Sequence, residues 1–297
     1  MSDYLKDKVV LISGSSMGIG KAIATDLASK GAKVVLNGRD LDKLERTEAE
    51  LKEKGYEVTA FAADIRYLEE CSYLIEKAVD YYGQLDILVN NAAVSSRGSV
   101  AKMAETNFDI LIRTNFIGSA YLSKYAIPYL RKTKGHLIFI NSAGGFRGMP
   151  YNSAYSASKM AQAALADALR IELCDDNIHV GTAFVGFTEN DPKKAILDVD
   201  GTWIYLPRRT NIRLAKPESV AKSIRSMIIK RKNIVTLTAL GRFTSFATRY
   251  LPRFSGWLLQ GNREKIRKQF TMIGGKKVVN DKRFKIAAER NRSVVNA

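Results

Sequence analysis

Runs of β-branched and aliphatic residues recur through the first 240 residues, at 9–13, 33–37, 57–61, 86–90, 136–141, 179–184 and 233–238. Between them, apolar residues fall three or four apart over helix-length stretches such as 19–30, 41–54 and 163–174, the spacing of a helix with one buried face. The strand-like runs are continuous rather than alternating, so both faces of each are expected to be covered. Strand and helix in alternation predict a doubly wound α/β fold, Rossmann-like, with one seven-stranded parallel sheet. A single catalytic domain is expected over residues 1–240 and a helical extension over 241–297, where the alternation stops. A second interruption, 187–214, reads as a long irregular insert containing Phe187, Trp203, Tyr205 and Leu206. Loops of that length in compact domains are often lids or binding loops.

The 297 residues, 46% of them hydrophobic, are enough for a substantial core. Cys71 and Cys174 both fall in helix-like stretches and read as buried free thiols rather than a redox pair. Two cysteines fit a reducing compartment. The apolar run at 9–12 leaves no space before it for a targeting signal, and no apolar run is long enough to cross a bilayer. A cytoplasmic protein is therefore expected. The net charge of +17 changes the picture only once it is located. Residues 230–297 hold 17 Lys/Arg against 3 Asp/Glu, whereas residues 1–229 hold 30 against 27. A basic excess segregated outside the fold argues against nucleic-acid binding.

Directly after the first strand stands Ser13-Gly14-Ser15-Ser16-Met17-Gly18-Ile19-Gly20, opening a helix. Gly14, Gly18 and Gly20 permit a tight turn, close backbone approach to phosphate and close helix–strand packing, and the helix amides of Ser16, Met17 and Ile19 lie beside them. Position between strand and helix makes this a dinucleotide turn. An NAD site carries an acid at the end of the second strand; here Asn37, Gly38 and Arg39 stand there instead. A guanidinium suits a 2′-phosphate through paired, charge-assisted contacts, which favours NADP(H) over NAD(H). Asp64, beside Ile65 after the third strand, has two readings: acceptor for the adenine amino group, or helix N-cap.

The spacing Tyr-x-x-x-Lys puts both side chains on one helix face, where an ammonium lowers the pKa of a phenol that is otherwise about 10. The pattern occurs at Tyr4/Lys8, Tyr73/Lys77 and Tyr155/Lys159. Tyr4 precedes the first strand and Tyr73 sits in an amphipathic helix, so both read as packing or surface residues. Tyr155 begins a helix after the fifth strand, at whose end stand Asn141 and Ser142, on the sheet edge where ligands bind in such folds.

Taken together, Gly14/Gly18/Gly20, the Asn90-Asn91-Ala92-Ala93 turn, Asn115, Ser142 and Tyr155-Ser-Ala-Ser-Lys159 make the first 240 residues resemble a short-chain dehydrogenase/reductase. The resemblance implies Tyr155 as general acid in reduction and general base in oxidation. It implies Lys159 lowering the phenol's pKa and binding the nicotinamide ribose, Ser142 holding the substrate oxygen, and Asn115 supporting a water-linked proton path to Lys159. From the residues alone, Ser142 is equally a turn cap and Asn115 a satisfied core amide. Cofactor contacts follow at Asn91, Ala92, Gly186 and Thr188. Three departures stand out: Ala93 replaces a glycine, Val185-Gly186-Phe187-Thr188 lacks a proline and brings its threonine early, and Leu240-Gly241-Arg242 replaces a glycine-rich ending found in tetramers. A homo-oligomer is expected, a dimer rather than a tetramer.

No metal site is visible, and His136 and His179 read as structural. Phe243, Phe246, Tyr250, Phe254 and Trp257 recur at helical spacing beside Arg242, Arg249 and Arg253, with Pro252 dividing the stretch in two. Such a stripe ordinarily packs on its own domain or a dimer partner; the other reading is peripheral contact of 241–260 with an anionic membrane. Lys276-Lys277 and Lys282-Arg283 read as a solvated tail. The expected function is NADP(H)-dependent hydride transfer between a nicotinamide and a small-molecule carbonyl or alcohol, apolar if Phe187, Trp203, Tyr205 and Leu206 line its pocket. The alternatives are a non-catalytic NADP-binding scaffold or sensor, and an epimerase or dehydratase on a related scaffold.

Overall fold

The computed structural model describes residues 4–189, 191–206, 214–271 and 278–279. Its strands in chain order are β1 (Val9–Ile12), β2 (Lys33–Gly38), β3 (Val58–Ala62), β4 (Ile87–Asn90), β5 (His136–Ser142), β6 (His179–Val185), β7 (Ala195–Leu197), β8 (Trp203–Tyr205) and β9 (Ile234–Thr236). The helices are α1 (Gly18–Ala28), α2 (Leu41–Glu53), α3 (Leu68–Tyr82), α4 (Glu105–Ile112), α5 (Gly118–Thr133), α6 (Ser153–Glu172), α7 (Pro217–Ile229), α8 (Ala239–Tyr250), α9 (Pro252–Gly261) and α10 (Arg263–Thr271). A π-helical turn, Arg113–Ile117, joins α4 to α5.

Seven strands form one sheet in the order β3-β2-β1-β4-β5-β6-β9, with every pairing parallel. The alternation of side chains explains the continuous apolar runs. In β1, Val10 and Ile12 join a cluster with Ile23, Leu27, Leu44 and Ile224 from α1, α2 and α7. Val9 and Leu11 point the other way, into a cluster with Leu74, Leu122 and Leu169 from α3, α5 and α6. Successive strand residues serve opposite faces, so a strand covered on both sides needs an apolar residue at every position. Each such leucine or isoleucine stabilises by roughly 1.5–3 kcal/mol. The strand order reverses between β1 and β4, and the crevice beyond the strands' carboxyl ends at that reversal is where such folds bind ligands.

His136 and His179 open β5 and β6 and pair in register at the opposite end of the sheet. Their Nδ1 atoms lie 3.0 Å apart, and Tyr4 Oη lies 2.5 Å from His136 Nε2.

Four sequence expectations are corrected. The insert at 187–214 is not wholly irregular: β7 and β8 make an antiparallel hairpin within it. The stretch at 163–174 and the helix expected to begin at Tyr155 are one helix, α6, which starts two residues earlier, at Ser153. Cys71 is buried, but Cys174 lies in the turn after α6 and is exposed. The aromatic stripe does not pack on the domain of its own chain. Pro252 opens α9 as expected, yet α8 and α9 bury Gly241, Ala247 and Ser255, and Phe243, Phe246, Tyr250, Phe254 and Trp257 are exposed. Lys276-Lys277 and Lys282-Arg283 lie outside the described residues. Among the described residues no helix is long and apolar enough to cross a membrane.

Candidate active site

β1 ends in a turn where Gly14 and Gly18 adopt φ of +65° and +57°, a region that glycine enters without steric cost. A methyl group on Gly20 would collide with the Gly14 carbonyl oxygen and stand 2.5 Å from Asn91 Nδ2. The turn is fixed from the β4 side. Asn91 Nδ2 donates to the carbonyls of Ser13 (3.0 Å) and Gly14 (2.9 Å), and the amides of Asn91 and Ala92 donate to Ser13 Oγ at 3.0 and 3.1 Å. Thus the glycine triplet and the Asn-Asn-Ala-Ala turn form one structure. α1 starts at Gly18 without a side-chain cap, and Gly18, Ile19 and Gly20 border the crevice. Uncapped amides at the positive end of a helix dipole suit a pyrophosphate, and a cradle that a Cβ would fill fits a dinucleotide.

At the far end of β2, Asp40 caps α2, accepting from the Lys43 amide at 3.2 Å; its other oxygen pairs with Lys43 Nζ at 3.0 Å. Arg39 lies instead 3.9 Å from Asp64 Oδ2, with its guanidinium 5.9 Å from the Trp203 ring centroid. The reading of Asp64 as a helix cap is overturned, because Tyr67 occupies the cap position of α3. Its carboxylate grips Arg66, whose Nε donates at 3.0 Å to each oxygen and whose Nη2 donates at 2.7 Å. Burial pushes the Asp64 carboxyl up, but the bonds from Arg66 and the charges of Arg39 and Arg66 outweigh it and hold it below the ordinary range. Arg39, Lys43 and Arg66 therefore bring three cations to the crevice wall beside Ile65.

At the catalytic end, β5 delivers Ser142, whose Oγ accepts from the Gly144 amide at 3.3 Å. Tyr155 stands half-buried in the first turn of α6, and Lys159 one turn later is 2% exposed. Lys159 Nζ donates to the Ile140 carbonyl (2.9 Å) and Gln162 Oε1 (3.1 Å). Burial, and secondarily the charge of Lys194, pushes its pKa down to about 7. Asn115 lies in the π-helical turn. Its Oδ1 accepts from the Val94 amide (2.8 Å), and its Nδ2 donates to the Val94 carbonyl (2.9 Å) and Ser158 Oγ (2.8 Å). That side chain is a satisfied core amide. Its backbone carbonyl continues the network, accepting from Ser119 Oγ at 3.2 Å, while Ser119 Oγ accepts from Gln162 Nε2 at 2.8 Å.

Gly186 lets the chain pass close to Thr238, whose Cγ2 would lie 2.6 Å from an added Cβ; Thr188 Oγ1 donates to the Gly186 carbonyl at 3.3 Å. Of the residues singled out in the sequence, Gly14, Ser16, Met17, Gly18, Ile19, Gly20, Arg39, Asp64, Ile65, Asn91, Ala92, Ser142, Tyr155, Lys159, Gly186 and Thr188 border one cavity of about 630 Å³. Asn115 stands behind its wall. Phe187, Trp203 and Leu206 also border it, whereas Tyr205 turns outward. Sequence reasoning missed Gln162, Arg66 and Lys194. A buried glutamine three residues after Lys159 was detectable as a polar break in an apolar face; Lys194, in the insert, carries no periodic signal.

The family model for short chain dehydrogenase matches residues 8–199. A "Dehydrogenase/reductase SDR family protein 7-like" protein of Anopheles gambiae is 32% identical over 271 residues, covering 89% of this chain and 85% of that protein. An "11-beta-hydroxysteroid dehydrogenase-like 4A" of Arabidopsis thaliana is 35% identical over 192 residues, and the match spans 64% of each chain. Among solved structures, an alcohol dehydrogenase from Thermococcus sibiricus, complexed with 5-hydroxy-NADP, superposes with a TM-score of 0.68 at 25% identity, over 78% of this chain and 95% of that one.

Proposed function

The chain belongs to the short-chain dehydrogenase family, and from that premise we propose that it is an NADP(H)-dependent reductase of apolar ketones or aldehydes, able to oxidise the matching alcohols. It is an NAD(P)-dependent oxidoreductase of CH–OH and C=O groups; the NADP(H) preference, the substrate and the residue roles are our reading. The observation that carries it is that Ser142, Tyr155 and Lys159 border the same cavity as the glycine turn. When bound, the nicotinamide supplies or accepts the hydride. Tyr155 gives its hydroxyl proton to the carbonyl oxygen in reduction and takes it back in oxidation. Ser142 Oγ donates to that oxygen as negative charge grows on it. Lys159, when protonated, lowers the phenol's pKa through its field and donates to the nicotinamide ribose.

Arg39 and Lys43 bind the 2′-phosphate, where a fork of N–H donors and a point charge suit a dianion. The 5-hydroxy-NADP complexed with the Thermococcus enzyme supports this preference. Phe187, Val94, Trp203 and Leu206 on the cavity wall support an apolar substrate, as does the hydroxysteroid dehydrogenase name of the Arabidopsis relative. The test follows reduced-nicotinamide absorbance over a graded panel of ketones and aldehydes, and the reverse reaction with their alcohols. NADPH should be consumed faster than NADH, and Ser142→Ala should lower turnover by about 100–1000-fold. No consumption on any carbonyl, or full turnover in Ser142→Ala, would sink the proposal.

A further inference from the structure

α8 and α9 meet the catalytic domain through small residues, and Arg147, in the loop after Ser142, fastens α9. One of its guanidinium nitrogens donates to the Pro252 carbonyl at 3.2 Å and also bonds Ser255 Oγ. The opposite side is open. Phe243, Phe246, Tyr250, Phe254, Trp257 and Leu258 are between 40% and 68% exposed. Their rings adjoin one another: centroids are 5.0 Å apart for Phe246 and Tyr250, and 5.9 Å apart for Phe254 and Trp257. Exposed aromatic pairs on two adjoining helices of a folded domain mark an interaction surface.

Charge decides what it meets. Residues 239–268 contain seven Lys/Arg and one acid, Glu264, and Glu264 is itself paired with Arg267 at 2.6 Å. Arg242, Arg249 and Arg253 are exposed beside the aromatic strip, with the Arg249 guanidinium 6.0 Å from the Tyr250 ring centroid. A second copy meeting this face about a two-fold axis would set arginines against arginines, with almost no carboxylate to neutralise them. An anionic bilayer satisfies both features. Aromatic rings settle at the boundary of headgroups and acyl chains, and guanidinium groups pair with lipid phosphates and carboxylates. The face lies along its helices, none of them long and apolar enough to cross a membrane among the described residues. We propose that α8 and α9 form a docking surface for an anionic lipid bilayer, on which the catalytic domain sits. This is independent of the reaction assigned above.

The test uses the full chain and sedimentation with vesicles of phosphatidylcholine alone or mixed with phosphatidylserine. Two variants are compared, Phe246→Ser/Trp257→Ser and Arg242→Gln/Arg249→Gln/Arg253→Gln. All five side chains are exposed, so unchanged thermal midpoints are expected for both. The wild type should pellet with the mixed vesicles and hardly with the neutral ones. Partition should fall by at least about tenfold for the aromatic variant and on the order of a hundredfold for the arginine variant, and rising salt should release the wild type. A second readout needs no variant. Trp203 is 7% exposed and Trp257 is 68% exposed, so a blue shift of tryptophan emission on adding mixed vesicles reports Trp257 entering lipid. Three results overturn the proposal: no pelleting of the wild type, equal pelleting of wild type and both variants, or a lipid-free dimer that Phe246→Ser/Trp257→Ser dissociates while vesicles bind nothing.

Discussion

Mild acid should destabilise this protein through a single pair of side chains. The chain contains two histidines, and they meet at the amino ends of β5 and β6. Burial first, then for His136 the neighbouring charges of His179, Arg231 and Lys8, depresses both: His136 to about 3 and His179 to about 4. In the unfolded chain each returns to about 6.5. Because the folded value lies below the unfolded one, the contribution to stability is complete above about pH 6.5 and is lost as pH falls toward the folded values. At about pH 5 the unfolded state has gained some 1.5 pH units per histidine at about 1.4 kcal/mol each, so about 2 kcal/mol apiece and about 4 kcal/mol for the pair. Urea unfolding at about pH 7 and about pH 5 measures this directly. The His136→Gln/His179→Gln variant keeps polar groups in place but cannot titrate there. The wild type should lose about 4 kcal/mol more than the variant over that interval. Parallel losses in both proteins would refute the reasoning, since they would place the titrating groups elsewhere.

Two further substitutions probe the cofactor crevice. Gly20→Ala puts a methyl against the Gly14 carbonyl and Asn91 Nδ2; overpacking of that kind costs about 1–3 kcal/mol, or roughly 5–150-fold in the Kd for NADPH. An unchanged Kd in a fluorescence titration would contradict the rigid cradle. Arg39→Ala should remove a charge-assisted contact of about 1.5–3 kcal/mol, weakening NADPH by roughly 10–150-fold and NADH hardly at all. Equal losses for the two cofactors would remove Arg39 from the 2′-phosphate site.

The sheet was readable in the sequence because its central strands are covered on both faces. The run at 9–13 became Val9–Ile12 and that at 179–184 became His179–Val185, since continuous apolar residues leave little choice of element. The β7–β8 hairpin was hidden by its size: each strand has three residues, too few for any period to show. Distant contacts hold it, including the bridge between Ser96 and Leu197 and the buried Arg97–Asp198 pair at 3.6 Å. The start of α6 was readable at Tyr155, but not the packing of its Ser153, Ser156 and Ser158. The last two are buried, and Ser158 Oγ accepts from Asn115 Nδ2 at 2.8 Å across 43 residues. Periodicity also showed that α8 and α9 each have an aromatic face, but not which face meets the domain. The buried contacts at Gly241, Ala247 and Ser255 settle that, and small residues carry no hydrophobic signal. The cavity residues themselves were largely readable, since glycines, Ser142, Tyr155 and Lys159 sit at fixed places relative to strand ends. Arg66 was not, because its partner, the Asp64 carboxylate, is a polar group whose approach depends on the folded chain.

In the proposed mechanism the Tyr155 hydroxyl exchanges the proton that accompanies hydride transfer. The most direct test of that role is steady-state NADPH consumption by Tyr155→Phe, paired with titration of cofactor binding to the same protein. The Kd for NADPH should stay close to that of the wild type, with turnover lowered by about 100–10,000-fold. Turnover equal to the wild type's on the same carbonyl would contradict that role.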